Sequence, residues 1–530
     1  SLERVQHVLL PPATEAPPAP AEPTAAPAQE PAAPAEPAAA PSRYNEAPML
    51  AEQVAAGTLP PVEERLPENP FVITGLDGIG NYGGGWRMNK RGQADTGSPG
   101  QVLSRGLLEI NQDMVEYARL AEAWEVSADG TEWTFHLRRG LKWSDGAPLT
   151  AEDVRFWYED LILNRDYTVA QPEYLSSIID GERVPATLSL PDDFTFRFTF
   201  ARPAALFHYN LVNDMGQAVP SHYLKQFHID YADQAELDAL IAGNESWDDW
   251  TQVLSDKNSI HLNPERPTHH PWTPTNPFSD EVVIYTRNPY FWSVDGEGNQ
   301  LPYIDKLMFR EAGDIQVAIL RVVNGEVDCQ ARHHYEFANY TVFKENESLG
   351  DYSVQIWRGT RVYCMHFNIT TKNERLRELF AERDFRIAMS LACNRDEMRE
   401  LLMDGFATNM QYSPPADSPF YYEKLANAYL DYDPDRANAL LDGLGYTERD
   451  GEGYRLFQDG SGDRVSITAL GQDATGTPAM LMLVDYFRDV GIQLNYRGMD
   501  RALLIETHQS NEVEMTAGDA DRTMIPLAAP

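Results

Sequence analysis

The chain has 530 residues and a formal net charge of −38, with 42% hydrophobic, 11% aromatic and 23% charged residues. Such a surface repels nucleic-acid phosphates and offers no basic patch to anionic lipid, so both partner classes are excluded. The length exceeds one ordinary core and the composition is globular, so two or three domains are expected.

The opening residues SLERVQHVLL do not form a secretory signal, because Glu3 and His7 interrupt any apolar core. Residues 11–41, PPATEAPPAPAEPTAAPAQEPAAPAEPAAAP, hold no aromatic or branched aliphatic residue with which to build a core. Frequent proline forbids continuous helix and favours an extended spacer. Residues 1–58 are therefore expected as a disordered linker, a stalk between a membrane anchor and a folded receptor. The anchor itself, a lipidated N-terminus, is expected outside this chain. No run of about 18 apolar residues is present, so no membrane-spanning helix is expected.

Folded sequence is expected from LPPVEERLPENPFVI onwards. GIGNYG, Gly78–Gly83, matches G-x-G-x-x-G but leads into GGWRMNKRG, which is no helix, so a dinucleotide site is rejected. A loop whose bare backbone approaches another surface or a ligand is expected instead. Farther on, TEWTFHLRRG reads as a half-buried strand, and Ser144-Asp145-Gly146 as a turn. Thr150 then caps a helix, with Asp153 at the third position. Val154, Trp157, Tyr158 and Leu161 fall on one helical face, and Trp143 and Trp157 read as packing anchors.

The later half alternates α and β. Asn394 with Glu397 resembles a capping box closed by Gly405, and Asp433-Pro434 opens a second helix. VSITALG, TPAMLMLVDYFRDVG, IQLNYRG, RALLIETHQS and EVEMTAG read strand-helix-strand-helix-strand, with Met480, Leu483, Val484, Phe487 and Val490 facing the core. A sheet that ends there looks unfinished, so further sequence is expected beyond Pro530.

Chemistry is sparse. Walker A, H-E-x-x-H and G-x-S-x-G are absent, and the many acids single out no catalytic pair. Adjacent residues of an extended segment point to opposite faces, so His269-His270 and His333-His334 are expected on surface loops rather than on a metal. Cys329, Cys364 and Cys393 suggest neither a disulfide framework nor a zinc site and are expected as small buried hydrophobes. Neither cofactor nor metal is expected. Trp86 beside the glycine run, and Trp357 and Tyr363 in VQIWRGTRVYCMHFN, are the aromatic residues expected to face a ligand.

The order of segments resembles the family 5 extracytoplasmic solute-binding proteins of ABC importers. The resemblance is carried by LAEAWEVSADGTEWTFHLRRGLKWSDGAPLTAEDVRFWYEDL, VVIYTRNPYFW, LPYIDKLMFR, AILRVVNGEVD, FRIAMSLACNRDEMRELLMDGFA and YDPDRANALLDGLGY. It implies an α/β, two-lobed periplasmic-binding-protein fold of type II, cluster C-like, with an extra subdomain in the first lobe. Lobe I would take residues 59–104 and 201–355, the extra subdomain 105–200, and lobe II 356–530, the C-terminal return to lobe I being absent. It also implies an extracytoplasmic, monomeric receptor that closes on its solute and delivers it to a membrane ABC permease. Oligopeptide is the leading substrate. Such receptors pair the peptide ammonium with a buried Asp, here Asp519 or Asp521, although the flanking aromatics are missing and Arg522 competes for the carboxylate. YFWSVDGEGNQLPYIDK resembles a subgroup that includes oligosaccharide receptors, which makes cello- or xylo-type sugars the alternative. A secreted carbohydrate-active enzyme and a sensor of a membrane kinase are further alternatives. The residues expected at the ligand are Tyr82, Trp86, Trp357, Arg361, Tyr363, Asn368, Asp519 and Asp521.

Overall fold

The computed structural model describes residues 43–519 apart from 76, 94, 104–105, 112–114, 213–217, 331, 333–338, 358–362, 417 and 473–476. Of residues 101, 472, 477, 501, 502 and 519 only the backbone is described. The described chain builds three four-stranded sheets, each with its own apolar core. None of the described helices is long and apolar enough to cross a membrane.

The first sheet, in residues expected as lobe I, runs in the order Trp272–Pro274, Val282–Arg287, Lys306–Glu311, Gly85–Lys90. Its last two strands are parallel, with Leu307 opposite Trp86, and Val283, Tyr285, Leu307 and Phe309 are buried beneath it. Residues 43–58, expected as part of the linker, pack against the fold, and the rest of that expected linker, residues 1–42, lies outside the described residues. Asn45 bridges to Asn299, and Ala47 and Leu50 are buried. Arg65, with no exposed surface, bonds Glu46, the carbonyls of Pro60 and Pro289, and Gln300, and so ties this segment down.

The second sheet is antiparallel, in the order Ala121–Val126, Glu132–Leu137, Thr195–Thr199, Thr187–Asp192. Its core takes in Phe135, Trp143, Phe156, Trp157 and Phe196 and extends past residue 200 to Phe207, Leu224 and Leu254. The stretch between Trp143 and Leu161 is organised by Asp153, which is 2% exposed. Its carboxylate accepts from Thr150 N (2.9 Å), Trp143 Nε1 (3.1 Å), Ser221 N (3.0 Å) and Ser221 Oγ (2.6 Å). Thr150, expected as the N-cap, forms a capping box with Asp153 at the third position.

The helix does not continue as an α-helix. After Ala151–Arg155 the segment Phe156–Ile162 is π-helical, and Leu163 N bonds Tyr158 O, five residues back. The regular i, i+3, i+4, i+7 spacing gave no sign of this widening. The Thr168 hydroxyl and Gln171 amide satisfy the carbonyls of Leu161 and Ile162 that it leaves exposed.

Two further expectations are corrected here. His269 and His270 are 3% and 1% exposed, not on a surface loop. Their extended segment runs through the interior, and its carbonyls accept from Trp292 Nε1 and Asn288 Nδ2. His333 and His334 lie outside the described residues. Only Cys393 is buried; Cys364 is intermediate and Cys329 exposed.

The third sheet, in residues expected as lobe II, is ordered Tyr363–Phe367, Met515–Asp519, Ser466–Gln472, Gln493–Met499. The last three strands are mutually parallel and the first is antiparallel to them. The expected helix Thr477–Asp489 lies between the parallel strands in sequence and buries Met480, Leu483 and Phe487, with Val490 buried just past its end. Asn394 and Asp433 cap their helices as read, through the amides of Glu397 and Arg436.

Two outcomes follow for the Asp153 region. Asp153→Ala leaves buried donors unpaired and is expected to cost about 3–5 kcal/mol in equilibrium unfolding; a loss below about 1 kcal/mol contradicts the reading. Next to it, Arg155, despite the opposing effect of burial, and Lys225 hold Glu152 down at about 2, from an ordinary value of 4.5. The depressed carboxylate contributes stability above its unfolded value and loses it as pH falls toward the folded one. Glu152→Gln should therefore flatten acid destabilisation in the interval from 4.5 to about 2, as read by denaturant titration at stepped pH. An unchanged acid limb would count against the pairing.

Candidate functional site

Three parallel strands of lobe II end together at Gln472, Met499 and Asp519, and Tyr363 opens the antiparallel strand directly opposite Asp519. In open α/β sheets, ligands bind beyond the carboxyl ends of the strands, where the strand order switches. Tyr363 is 38% exposed at this edge, and Trp357, six residues earlier, is 78% exposed. An indole left this far in solvent is unusual, and its flat apolar face suits a stacking partner. Arg361 and Asp521 lie outside the described residues, as does the side chain of Asp519.

Asn368, expected beside Tyr363, sits at the other end of the same strand, roughly 17 Å away at the usual rise per residue. Its amide donates to Asn511 Oδ1 and Val513 O, and its backbone N–H to Glu514 O. These bonds close the turn after the helix Arg501–Gln509. A hollow of ≈ 220 Å³ lined by His366, Asn368, His508 and Asn511 opens at that remote end.

In lobe I, Trp86 is half-buried on the outermost strand and rests against Trp272, ring centroids 6.4 Å apart. Tyr82 is engaged on several sides. Its hydroxyl donates to Gln300 O at 2.7 Å, the Arg287 guanidinium lies 5.2 Å from the ring centre, and Tyr303 meets it edge-on. Burial pushes the Tyr82 hydroxyl far up. The glycine loop is explained by the same neighbourhood. A Cβ on Gly80 would stand 2.5 Å from the Tyr303 ring, so the bare backbone expected there approaches Tyr303.

Sequence reading passed over the loop Gly405–Tyr422, which makes ring contacts with earlier parts of the chain. Phe406 meets Tyr340 at 5.7 Å and Phe420 meets Tyr209 edge-on at 6.4 Å. The base of the loop is fixed: Gln411 N donates to Ala426 O, and Gln411 Nε2 to Ser390 Oγ and Ala428 O. Phe406, Tyr412 and Tyr422 are each more than half exposed. The cue was available in QYSPPADSPFYY, where prolines stiffen a run holding four aromatics. Tyr209 is itself backed by Glu116, which burial would raise but which the His208 hydrogen bond and charge hold below the ordinary range. Burial and the Glu116 carboxylate push the Tyr209 hydroxyl up, so the ring that meets Phe420 is neutral.

Exposed Trp357 and Tyr363 thus offer aromatic faces near backbone at strand ends. Surfaces of that kind suit an extended solute gripped by stacking and hydrogen bonds.

Known proteins fit this architecture. The family described as bacterial extracellular solute-binding proteins, family 5 Middle, matches residues 117–524. The periplasmic alpha-galactoside-binding protein of Rhizobium meliloti (strain 1021) is 28% identical over 450 residues, which cover 79% of this chain and 62% of that protein. The chain therefore spans less than two thirds of that relative's length. A solved oligopeptide-binding protein OppA is 35% identical with a TM-score of 0.70, covering 92% of this chain and 76% of its own. The periplasmic binding protein MelB of Agrobacterium fabrum C58, solved in complex with stachyose, is 25% identical with a TM-score of 0.71, covering 91% and 74%. With the family match running through the second sheet, three of the four strands of the first sheet and the whole third sheet, the chain belongs to the family 5 bacterial extracellular solute-binding proteins, two-lobed α/β proteins of type II fold.

Proposed function

We propose that the chain is the extracytoplasmic substrate-binding protein of an ABC importer, capturing an oligopeptide between its lobes and handing it to a membrane permease. The observation that carries this reading is the family match over residues 117–524, which takes in the second sheet, three strands of the first and the whole third sheet. Binding by closure works because ligand contacts made only in the closed state shift the open–closed equilibrium; a solute with equal affinity for both states would shift nothing. No bond is made or broken in that cycle, and the protein acts as a receptor rather than an enzyme. A stalk formed by the Pro/Ala/Glu-rich N-terminal run, tethered by lipid, would keep it near the permease. Lobe boundaries near residues 105, 200 and 356 and a monomeric state belong to the same proposal.

A second reading is supported by its own observations. The alpha-galactoside-binding relative matches 79% of this chain, and the MelB structure holds stachyose. The exposed Trp357 and Tyr363 also suit sugar stacking. In that case the solute is a neutral oligosaccharide and no charged anchor is needed.

Thermal-shift screening of di- to hexapeptides against raffinose-type, cello- and xylo-oligosaccharides decides between them, since a solute at a hundred times its Kd stabilises by about 2.7 kcal/mol. Stabilisation by peptides, abolished in Asp521→Ala, supports the first reading; stabilisation by sugars alone overturns it. Trp357→Ala is expected to weaken the bound solute about tenfold while shifting ligand-free stability by less than about 0.5 kcal/mol. Phe420→Ala is expected to speed solute release by about 3–10-fold with little change in association, by stopped-flow fluorescence. Unchanged release would remove the Phe420–Tyr209 contact from the closure account.

A further inference from the structure

Against the core of the second sheet lies a buried cation with no carboxylate partner among the described residues. Arg266 is 6% exposed; its Nε donates to Asn258 Oδ1 at 3.0 Å and its Nη1 to Pro267 O at 3.1 Å. Among the described residues no carboxylate pairs with it, and its electrostatic neighbours are the hydroxyls of Tyr167 and Tyr223. The adjacent Glu265 is paired with Lys257 instead, at 3.8 Å. Burial pushes the guanidinium down to about 10, so it still carries its charge at neutral pH. Buried charges are normally paired, because an uncompensated one costs several kcal/mol.

Arg266 lines a pocket of ≈ 270 Å³ whose other walls are apolar and aromatic. Trp157, Leu161 and Ile162 come from the π-helical segment, and Tyr167 is held in place by stacking on Trp250. Asn258 and Ile260, both half-buried, form the rim. π-helical turns are rare and are frequently found at functional sites. Here the widened turn is part of the wall, and none of the wall residues belongs to the seam between the lobes.

We propose that this pocket is a second ligand site of the protein, taking a small carboxylate with an apolar body of about benzoate size, whose charge Arg266 neutralises while Trp157 and Tyr167 hold its apolar part. The site is separate from the transport cleft, and the proposal does not depend on the transport reading. A bound carboxylate supplies the counter-charge the fold omits, and the planar guanidinium is suited to gripping it with two hydrogen bonds.

The test is fluorine NMR of para-fluorobenzoate titrated with the whole protein, with para-fluorobenzyl alcohol as the uncharged control. The benzoate signal should broaden at millimolar concentration and the alcohol signal should not. Arg266→Met should weaken the benzoate at least ~10-fold, as expected for losing a charge-assisted bidentate contact. Ile260→Phe, which fills the pocket and leaves Arg266 in place, should abolish broadening, and it decides the matter alone if Arg266→Met fails to fold. The proposal is overturned if benzoate does not broaden, if the alcohol broadens equally, if Ile260→Phe has no effect, or if the solute bound between the lobes displaces it.

Discussion

The constraint on which the structure depends is that its apolar cores stay separate. Lobe II is built around residues from Leu376 to Met515, whereas the cores of the rest draw only on residues from Ala47 to Phe309. Among the described residues they share no buried apolar residue. Had one continuous core crossed the seam, separating the lobes would have exposed apolar surface at about 25 cal/mol per Å². The seam is touched instead by partly exposed rings, Phe406 on Tyr340 and Phe420 on Tyr209. Each such contact is worth about 0.5–1.5 kcal/mol, small enough for a bound solute to tip the balance either way. Rigidity within each lobe and weakness between them are what hinge closure requires.

The same division explains which parts of the molecule could be read from sequence. Local rules found the caps at Thr150, Asn394 and Asp433, because each is decided by a few neighbouring residues. They also found the Met480-to-Val490 face, whose period survives unchanged in the fold. They failed where long-range contacts decide. His269 and His270 look like a polar loop, yet Trp292 and Asn288 supply the backbone partners that let the segment run inside. Residues 43–58 look like more linker, but Arg65 and Asn299 fasten them. The regular spacing of Val154 to Leu161 carries no mark of the π-helical turn, which depends on the later Thr168 and Gln171 to satisfy its carbonyls.

The candidate site was legible in part for a related reason. Exposed Trp357 and Tyr363 could be suspected from aromatic residues at a strand edge. Asn368 was grouped with them because it is near in sequence, and the strand carries it to the opposite end of the sheet. The loop Gly405–Tyr422 was missed because its partners, Tyr340 and Tyr209, are distant in the chain. Around the core of the second sheet, Asp153 and Arg266 make an instructive pair. Both are buried charges, but Asp153 accepts from four donors, whereas Arg266 is left with two neutral acceptors and an adjoining hollow. A fold that satisfies one buried charge so fully and leaves the other without a counter-ion marks the second as a place for a ligand.

The most direct measurement is a crystal structure of the protein with the solute it carries from its native source. Capture by lobe closure requires one solute molecule contacted simultaneously by residues before Ile356, such as Trp86, and by residues after it, such as Trp357 and Tyr363. A solute held wholly within one lobe, with the seam open beside it, would contradict capture by closure.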